Sequence, residues 1–220
     1  MDYNIYNAIK ILKKKSGSKN VVFISSAELA GEMKISQQTA SRIIINLYKN
    51  KFIDRTMDNR KQKIILLEKS LDLLYYELNE LYSILEMHQN LELRGNVKNG
   101  LGEGKYYISK EEYMKQFEER LGIKPYPGTL NIRVNSEYEN ILRSIRSADG
   151  IHIEGFNDNE RTFGGVKCFK AHIDGIKCFL IFPERSSYTD VIEIIADRYL
   201  RDELKLKDGS ELKVNVDIDN

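Results

Sequence analysis

Apolar positions follow two different rhythms along this chain. Over residues 1–88 they recur at helical spacing. Ile5, Ile9, Ile11 and Leu12 outline a first helix. Ser26 stands before "AELAGEM" and Ser36 before "QQTASRIIINLYKNK", each a good N-cap. Ala40, Ile43, Ile44 and Leu47 then fall at i, i+3, i+4 and i+7, a core-facing stripe, with Gln37, Gln38, Thr39, Ser41 and Arg42 at the helix start or on its other face. "KFIDRTMDNRKQKIILLEK" reads as strand, polar turn, strand. A last helix, about 70–87, repeats leucine at 71, 74, 78, 81 and 85, a pattern suited to packing or to a homodimer.

From about Leu91 the runs shorten to strand length and glycine becomes frequent. "LELRGNV", "KYYIS", "TLNIRV", "IHIEGF", "GGVKCFKAHI", "IKCFLIF", "VIEIIA" and "ELKVNVDI" all read as strands. Only "KEEYMKQFEERLG" and "NSEYENILRSIRS" read as helices. The expectation is a multidomain α and β protein, with a helical domain over 1–89 and a small β-barrel over 90–220.

Charge sharpens this division. The net charge is +1, but residues 1–63 carry +8, residues 64–88 carry −4 and residues 89–220 carry −3. A polyanion partner is therefore a hypothesis for the N-terminal part alone. Its order of helix, short helix, turn, helix and basic hairpin resembles a winged helix-turn-helix domain. That resemblance implies double-stranded DNA as partner, with Gln37, Gln38, Thr39 and Arg42 at base edges or phosphates and Arg55, Arg60, Lys61 and Lys63 as wing phosphate contacts. Packing or dimerisation alone is the other reading of those faces. No run reaches the roughly 18 apolar residues of a membrane span, and the N-terminus does not read as a signal peptide, so a cytoplasmic location is expected. Cys168 and Cys178 flank a glycine-containing turn, where they could face each other across a hairpin; reduced core thiols are the plainer expectation. His88, His152 and His172 lack metal-ligand spacing.

Three stretches could carry chemistry. In "GLGEGKYYIS" the glycines of Gly100–Lys105 free backbone N–H groups to turn toward an anion, and Lys105 adds a charge. The spacing fits neither a Walker loop nor a dinucleotide fingerprint, because Gly104-Lys105 is followed by Tyr106 and Lys105 stands where a third glycine is needed. A plain turn between strands remains an alternative. In "LGIKPYPGTLNIRV", Thr129 and Asn131 leave a rigid turn two residues apart, which in a strand puts both on one face. A hydroxyl and a carboxamide oxygen there suit Mg²⁺; a capped turn is the alternative. Glu193 is the lone carboxylate in the apolar run 191–196, either a base or acceptor held in a site or part of a solvated face.

Taken in order, "GLGEGKYYIS", "LGIKPYPGTLNIRV", "FGGVKC" and "FPERSSYTDVIEIIADRYLRDELKLKDG" are similar to the archaeal riboflavin kinases, over the whole second half of the chain. A winged helix domain in front is a known arrangement in that family. The resemblance implies a cradle-loop β-barrel that phosphorylates riboflavin to FMN with CTP as donor, giving CDP. It implies nucleotide contacts at Gly100, Leu101, Gly102, Glu103, Gly104 and Lys105 and again at Arg198, Tyr199, Leu200 and Arg201. It places Mg²⁺ on Thr129 and Asn131. Flavin contacts fall on Glu193 and on a loop hydroxyl, Ser187, which directly precedes Tyr188, or Ser186. Asp197 replaces a proline frequent in the family. Held on a barrel, the glycine loop is not expected at a helix N-terminus. The competing function is a winged-helix regulator that senses flavin or nucleotide without turnover.

Overall fold

The structure is a computed structural model and describes residues 3–58, 61–100, 103–158, 161–186 and 188–218. Contacts divide the chain into two units, Met1–Leu78 and Asn79–Asn220.

The first unit runs α1 (Tyr3–Ser16), β1 (Val21–Ile24), α2 (Ser26–Met33), α3 (Gln37–Lys49), β2 (Ile53–Asp58), β3 (Lys61–Leu66) and the start of α4 (Glu68–Ile84). This is winged helix-turn-helix order. The sheet is β1-β3-β2, antiparallel throughout, and β2 and β3 form the wing. Helix α2 starts one residue earlier than the sequence reading placed it. Ser25, not Ser26, is the N-cap: its hydroxyl accepts from the Glu28 N–H, and Glu28 accepts from the Ser25 N–H in return. Lys34 takes the left-handed conformation that ends α2, and Ser36 caps α3 through the Thr39 N–H. Ala8, Ile9 and Leu12, Leu29 and Met33, Ala40 to Leu47 on the α3 stripe, Ile53 and Ile64 share one core. Four residues long, β1 had no helical or alternating pattern to announce it; it exists because β3 offers it an edge. Leu78 and Leu81 on α4 and Leu85 just after it are 41, 53 and 64 % exposed, so the later leucines of that stripe face solvent.

The unit boundary falls inside α4, where the buried Asn79 donates through Nδ2 to the Ser144 carbonyl at 2.9 Å. The second unit continues with β4 (Gln89–Lys98), α5 (Glu103–Ile108), α6 (Glu111–Gln116), β5 (Leu130–Val134), α7 (Glu139–Ser147), β6 (Ile151–Ile153), β7 (Phe156–Asp158), β8 (Arg161–Phe163), β9 (Val166–Ile173), β10 (Ile176–Pro183), β11 (Val191–Ile195), α8 (Leu200–Glu203) and β12 (Glu211–Ile218). Six strands close into an antiparallel barrel, β4-β5-β11-β10-β9-β12 and back to β4, which leaves no open edge among them. The first half of β9 keeps its pairing with β10 but takes β6 in place of β12 on its other edge.

Strand alternation splits the apolar residues of this unit into two layers. Leu130 and Ile132, Ile192 and Ile194, Leu180 and Phe182, and Val214 and Val216 fill the barrel interior. Phe179, Ile181, Ile195 and Cys168 point outward, where Ile108, Tyr113, Phe117 and Leu121 cover them. The cysteines consequently cannot pair. Cys178 lies in the inner layer opposite Ala171, and Cys168 in the outer layer opposite Ile181. Both are free and buried, and burial pushes each thiol up to about 12.

One expected strand is a helix. "KYYIS" belongs to α5, because its buried positions follow helical rather than alternating spacing: Gly104, Tyr107 and Ile108, at i, i+3 and i+4, face the same cleft. Gly104 and Lys105 therefore sit in the first turn of a short helix, which overturns the expectation of a glycine loop away from any helix N-terminus.

Candidate active site

The outer layer of the barrel is interrupted by a row of polar side chains. Lys98 on β4, Asn131 on β5 and Glu193 on β11 are in register, each directly opposite the next. They lie on the outer face, since their neighbours Val97, Ile132, Ile192 and Ile194 are buried in the interior. The next partner in the row, Ile181 on β10, belongs to the outer apolar layer. The sequence gives Thr129 the same parity as Asn131, and the two are adjacent: Asn131 Nδ2 donates to Thr129 Oγ1 at 3.3 Å.

Three clefts meet at Thr129, which lines all of them. The first, about 330 Å³, has walls of Tyr107, Tyr113, Phe117, Phe163 and Ile181, with Ser186, Tyr188 and Glu193 at one side. The second, about 380 Å³, is polar and holds Lys98, Gly100, Gly104, Lys105, Asn131, Arg133 and Glu193. The third, about 170 Å³, lies between Tyr126-Pro127-Gly128 and Arg198–Arg201. Tyr126 and Tyr199 stand with ring centroids 5.0 Å apart there, and Tyr126 N–H donates to the Ala196 carbonyl at 2.7 Å.

The aromatic cleft is held by contacts among elements far apart in sequence. Phe156 stacks on Phe163 at 4.7 Å, and Tyr113 meets Phe156 edge-on at 4.8 Å. The Tyr113 hydroxyl donates to the Gly164 carbonyl, and burial pushes its pKa up. Arg161 lies over Tyr106, Tyr107 and Phe163 at 5.4 to 5.5 Å and donates to the Tyr107 hydroxyl. Lys110 bonds Asp158 at 2.8 Å, which together with Tyr106 holds its pKa up, so α6 is tied to β7.

Glycines make the polar cleft possible. A Cβ on Gly100 would come within 2.5 Å of Asn131 Nδ2, and one on Gly104 within 2.5 Å of Thr129 Oγ1. Two backbone stretches thus press directly on the Thr129–Asn131 pair. That cradle suits a small cation. Two neutral oxygen donors side by side leave most of an octahedral shell for water and phosphate oxygens, the usual arrangement for Mg²⁺. Turning the Asn131 amide over would present Oδ1 in place of Nδ2.

The remaining expected residues are placed as follows. Arg201 is only half available: it donates through Nη1 to Asp208 at 2.8 Å and through Nη2 to the Lys98 carbonyl at 2.7 Å. Asp208 also accepts from Asn99, so this pair fixes the approach to the glycine loop. Arg198 is bonded to Asp197 at 2.8 and 3.2 Å, a contact that raises the guanidinium pKa and lowers that of the carboxyl. Leu200 is buried in the barrel interior. Ser186 lines the aromatic cleft, and its hydroxyl accepts from the Tyr188 N–H at 3.3 Å. Glu103 opens α5. Leu101, Gly102, Ser187 and Arg60 lie outside the described residues. Sequence reasoning missed Lys98, Arg133, Tyr126 and the aromatic walls. Only Lys98 left a usable signal, its place two residues before Gly100 at the end of a strand.

In the first unit, Gln37, Gln38, Thr39 and Arg42 are exposed together at the start of α3. The wing is less free than expected. Lys61 is bonded to Glu28 at 2.8 Å, and Arg55 donates to Gln62 at 3.0 Å and lies over the Tyr48 ring.

Comparison with known proteins bears on the whole chain. The family model CTP-dep_RFKase, described as a domain of unknown function, DUF120, matches residues 97–216. The riboflavin kinase of Picrophilus torridus is 59% identical over 216 residues, 98% of each chain. The chain belongs to the CTP-dependent riboflavin kinase family. Two further family members are the riboflavin kinases of Thermoplasma volcanium, 52% identical over 96% of each chain, and Archaeoglobus fulgidus, 41% identical over 97% of this chain and 92% of that one. Among solved structures, a MarR family protein from Bacillus stearothermophilus aligns with 39% of this chain and 60% of its own, at 19% identity and a TM-score of 0.32, too remote to bear on either unit. Among the described residues no helix is long and apolar enough to cross a membrane.

Proposed function

We propose that the second unit transfers the γ-phosphate of CTP to the 5′-hydroxyl of riboflavin, giving FMN and CDP, and that the three clefts divide the substrates among them. The observation that carries this is the meeting of an aromatic slot and a polar, glycine-walled cleft at Thr129 and Glu193. The isoalloxazine enters the aromatic cleft, bringing the ribityl chain toward Glu193 and Ser186. The nucleotide phosphates occupy the polar cleft against Lys105 and the backbone of Gly100 and Gly104. The base and ribose lie toward Tyr126 and Tyr199.

Phosphoryl transfer needs positioning and charge neutralisation more than covalent chemistry. Glu193 orients the acceptor hydroxyl and takes its proton as the new P–O bond forms. Thr129 and Asn131 would hold Mg²⁺, which would offset phosphate charge. Arg201 keeps the loop entrance in place through Lys98 and Asp208, so its role toward the nucleotide is partly indirect. A sensor without turnover has no need of the Thr129–Asn131 pair. The test is riboflavin incubated with each of the four nucleoside triphosphates and Mg²⁺, with FMN read by chromatography. FMN from CTP well above that from ATP is expected; none from any donor overturns the proposal.

A second role is favoured by one observation, the shared exposure of Gln37, Gln38, Thr39 and Arg42 on α3. That face fits the major groove of double-stranded DNA, and the basic surplus of residues 1–63 supports it. A mobility shift with promoter DNA, with and without FMN, tests this; salt-insensitive or absent binding rejects it. The exposed leucines of α4 are where a second copy would pack, which sedimentation would reveal. Two free buried thiols suit a cytoplasmic location.

A further inference from the structure

The barrel unit holds two half-buried cations where the proposed reaction has no direct use for them. Arg146, in the last turn of α7, passes beneath the connection between β10 and β11. Its Nη2 donates to the carbonyls of Tyr188 at 3.2 Å and Val191 at 3.4 Å. Its guanidinium lies 4.4 Å over the Phe182 ring, and its Nε is buried with no partner. Burial and the neighbouring Arg143 lower its pKa. Lys167 lies close by. Its ammonium donates to the carbonyls of Arg146 at 2.5 Å and Ala148 at 2.9 Å, capping α7, and burial lowers its pKa in turn.

Such an arrangement is a poor way to stabilise a fold. A partly desolvated cation with an unmet buried donor is commonly matched by an apolar side chain of the same shape. What Arg146 does achieve is geometric. It joins three points: Phe182 at the end of β10, Tyr188 in the connection, and Val191 at the start of β11. Ser186 and Tyr188 line the aromatic cleft, and Glu193 follows two residues after Val191.

We propose that Arg146 is a positioning residue for the flavin substrate, clamping the β10–β11 connection so that Ser186, Tyr188 and Glu193 are pre-set around the aromatic cleft. The proposal rests on the riboflavin kinase reading. Loss of the clamp leaves the site able to form but adds an ordering cost to riboflavin binding. The cleft between Tyr126 and Tyr199 has no wall from this connection, while the polar cleft shares Tyr188, Val191 and Glu193 with it.

Arg146→Met keeps the length and the contact with Phe182 but removes both hydrogen bonds. The expected result is a riboflavin KM raised about 5- to 10-fold, with kcat changed by less than about 2-fold and the CTP KM raised by a clearly smaller factor than the riboflavin KM. The melting temperature should hold or rise. Arg146→Lys, still able to reach one carbonyl, should recover part of the riboflavin KM, and it keeps the test open if the Met variant does not fold. An unchanged riboflavin KM, or a parallel loss in kcat and both KM values with a lower melting temperature, would overturn the proposal. Riboflavin binding read by quenching of its own fluorescence separates the two readings. If the wild-type chain makes no FMN the kinase reading fails, while weaker riboflavin binding by Arg146→Met still supports the clamp.

Discussion

The two units treat their apolar residues differently. In Met1–Leu78 the helices and strands share one core, and the outward faces mix polar residues with single exposed apolar ones such as Phe23, Ile45 and Met57. In Asn79–Asn220 the same strands serve two apolar layers, one inside the barrel and one beneath α5 and α6. A polar residue on an outward strand position is unremarkable in the first unit. In the second it marks where the apolar outer layer over β10 gives way to the polar outer face of β4 and β12. Lys98, Asn131 and Glu193 lie on that border, and the candidate site occupies it. The meaning of a polar side chain therefore depends on how many faces of its strand are apolar, not on its own chemistry alone.

The sharpest way to break this contrast is Glu193→Gln. If the row is a reaction site, kcat for FMN formation should fall about 10²- to 10⁴-fold with the fold retained by circular dichroism. Asn131→Ala should cost about 10- to 100-fold and raise the Mg²⁺ concentration needed for half-maximal rate. Unchanged rates in either would return that residue to ordinary solvated surface. DNA binding by the first unit should not respond to either change.

Helical glycines offer a second comparison, one in each unit. A Cβ on Gly31 in α2 would meet nothing within 4 Å, whereas one on Gly104 in α5 would press on Thr129 Oγ1 at 2.5 Å. Neither needs a positive φ. Gly31→Ala should therefore stabilise the protein by about 0.5–1 kcal/mol, with turnover unaffected. Gly104→Ala gains the same helix propensity but displaces Thr129, and turnover should drop about 10-fold or more while thermal stability changes little. Equal behaviour of the two variants, measured by melting and by FMN formation, would remove Gly104 from the cradle.

How much of this was readable follows from where the information lies. The α3 stripe, its Ser36 cap and the alternating barrel strands are local patterns, and they form as read. The Thr129–Asn131 pair was legible because two residues in one strand must share a face. The pairing of Asn131 with Glu193 was not, because register between strands 62 residues apart is a property of barrel closure. Nor were the aromatic walls, since Tyr107, the helical pair Tyr113 and Phe117, and Phe163 come from three separate stretches that meet only after the outer layer assembles. "KYYIS" misled because two tyrosines and an isoleucine favour strand locally, while the cleft below selects i, i+3, i+4.

The smallest expected effect concerns the wing. Glu28 accepts from the Ser25 N–H and from Lys61, and these bonds, Lys61 foremost, lower its carboxyl from 4.5 to about 2. A depressed carboxyl contributes stability above its unfolded value and loses it as the pH falls, here between about 4.5 and 2. The group is exposed, so the contribution is small and weakens with salt. Glu28→Gln keeps the capping box, since glutamine also serves at that position, but frees Lys61. The acid dependence over that window should weaken in the unfolding curve, with Glu32, Glu92 and Asp197 supplying what remains. At neutral pH the variant should bind duplex DNA about threefold more tightly in low salt, because an ammonium no longer neutralised by Glu28 can reach a phosphate. If affinity does not change, Lys61 is not a phosphate contact and DNA binding falls to α3 alone. If it rises, the wing of the first unit is restrained by its own helix, in contrast to the second unit, where Arg133 and Arg201 at the polar cleft are held by Asp190 and Asp208 without closing it.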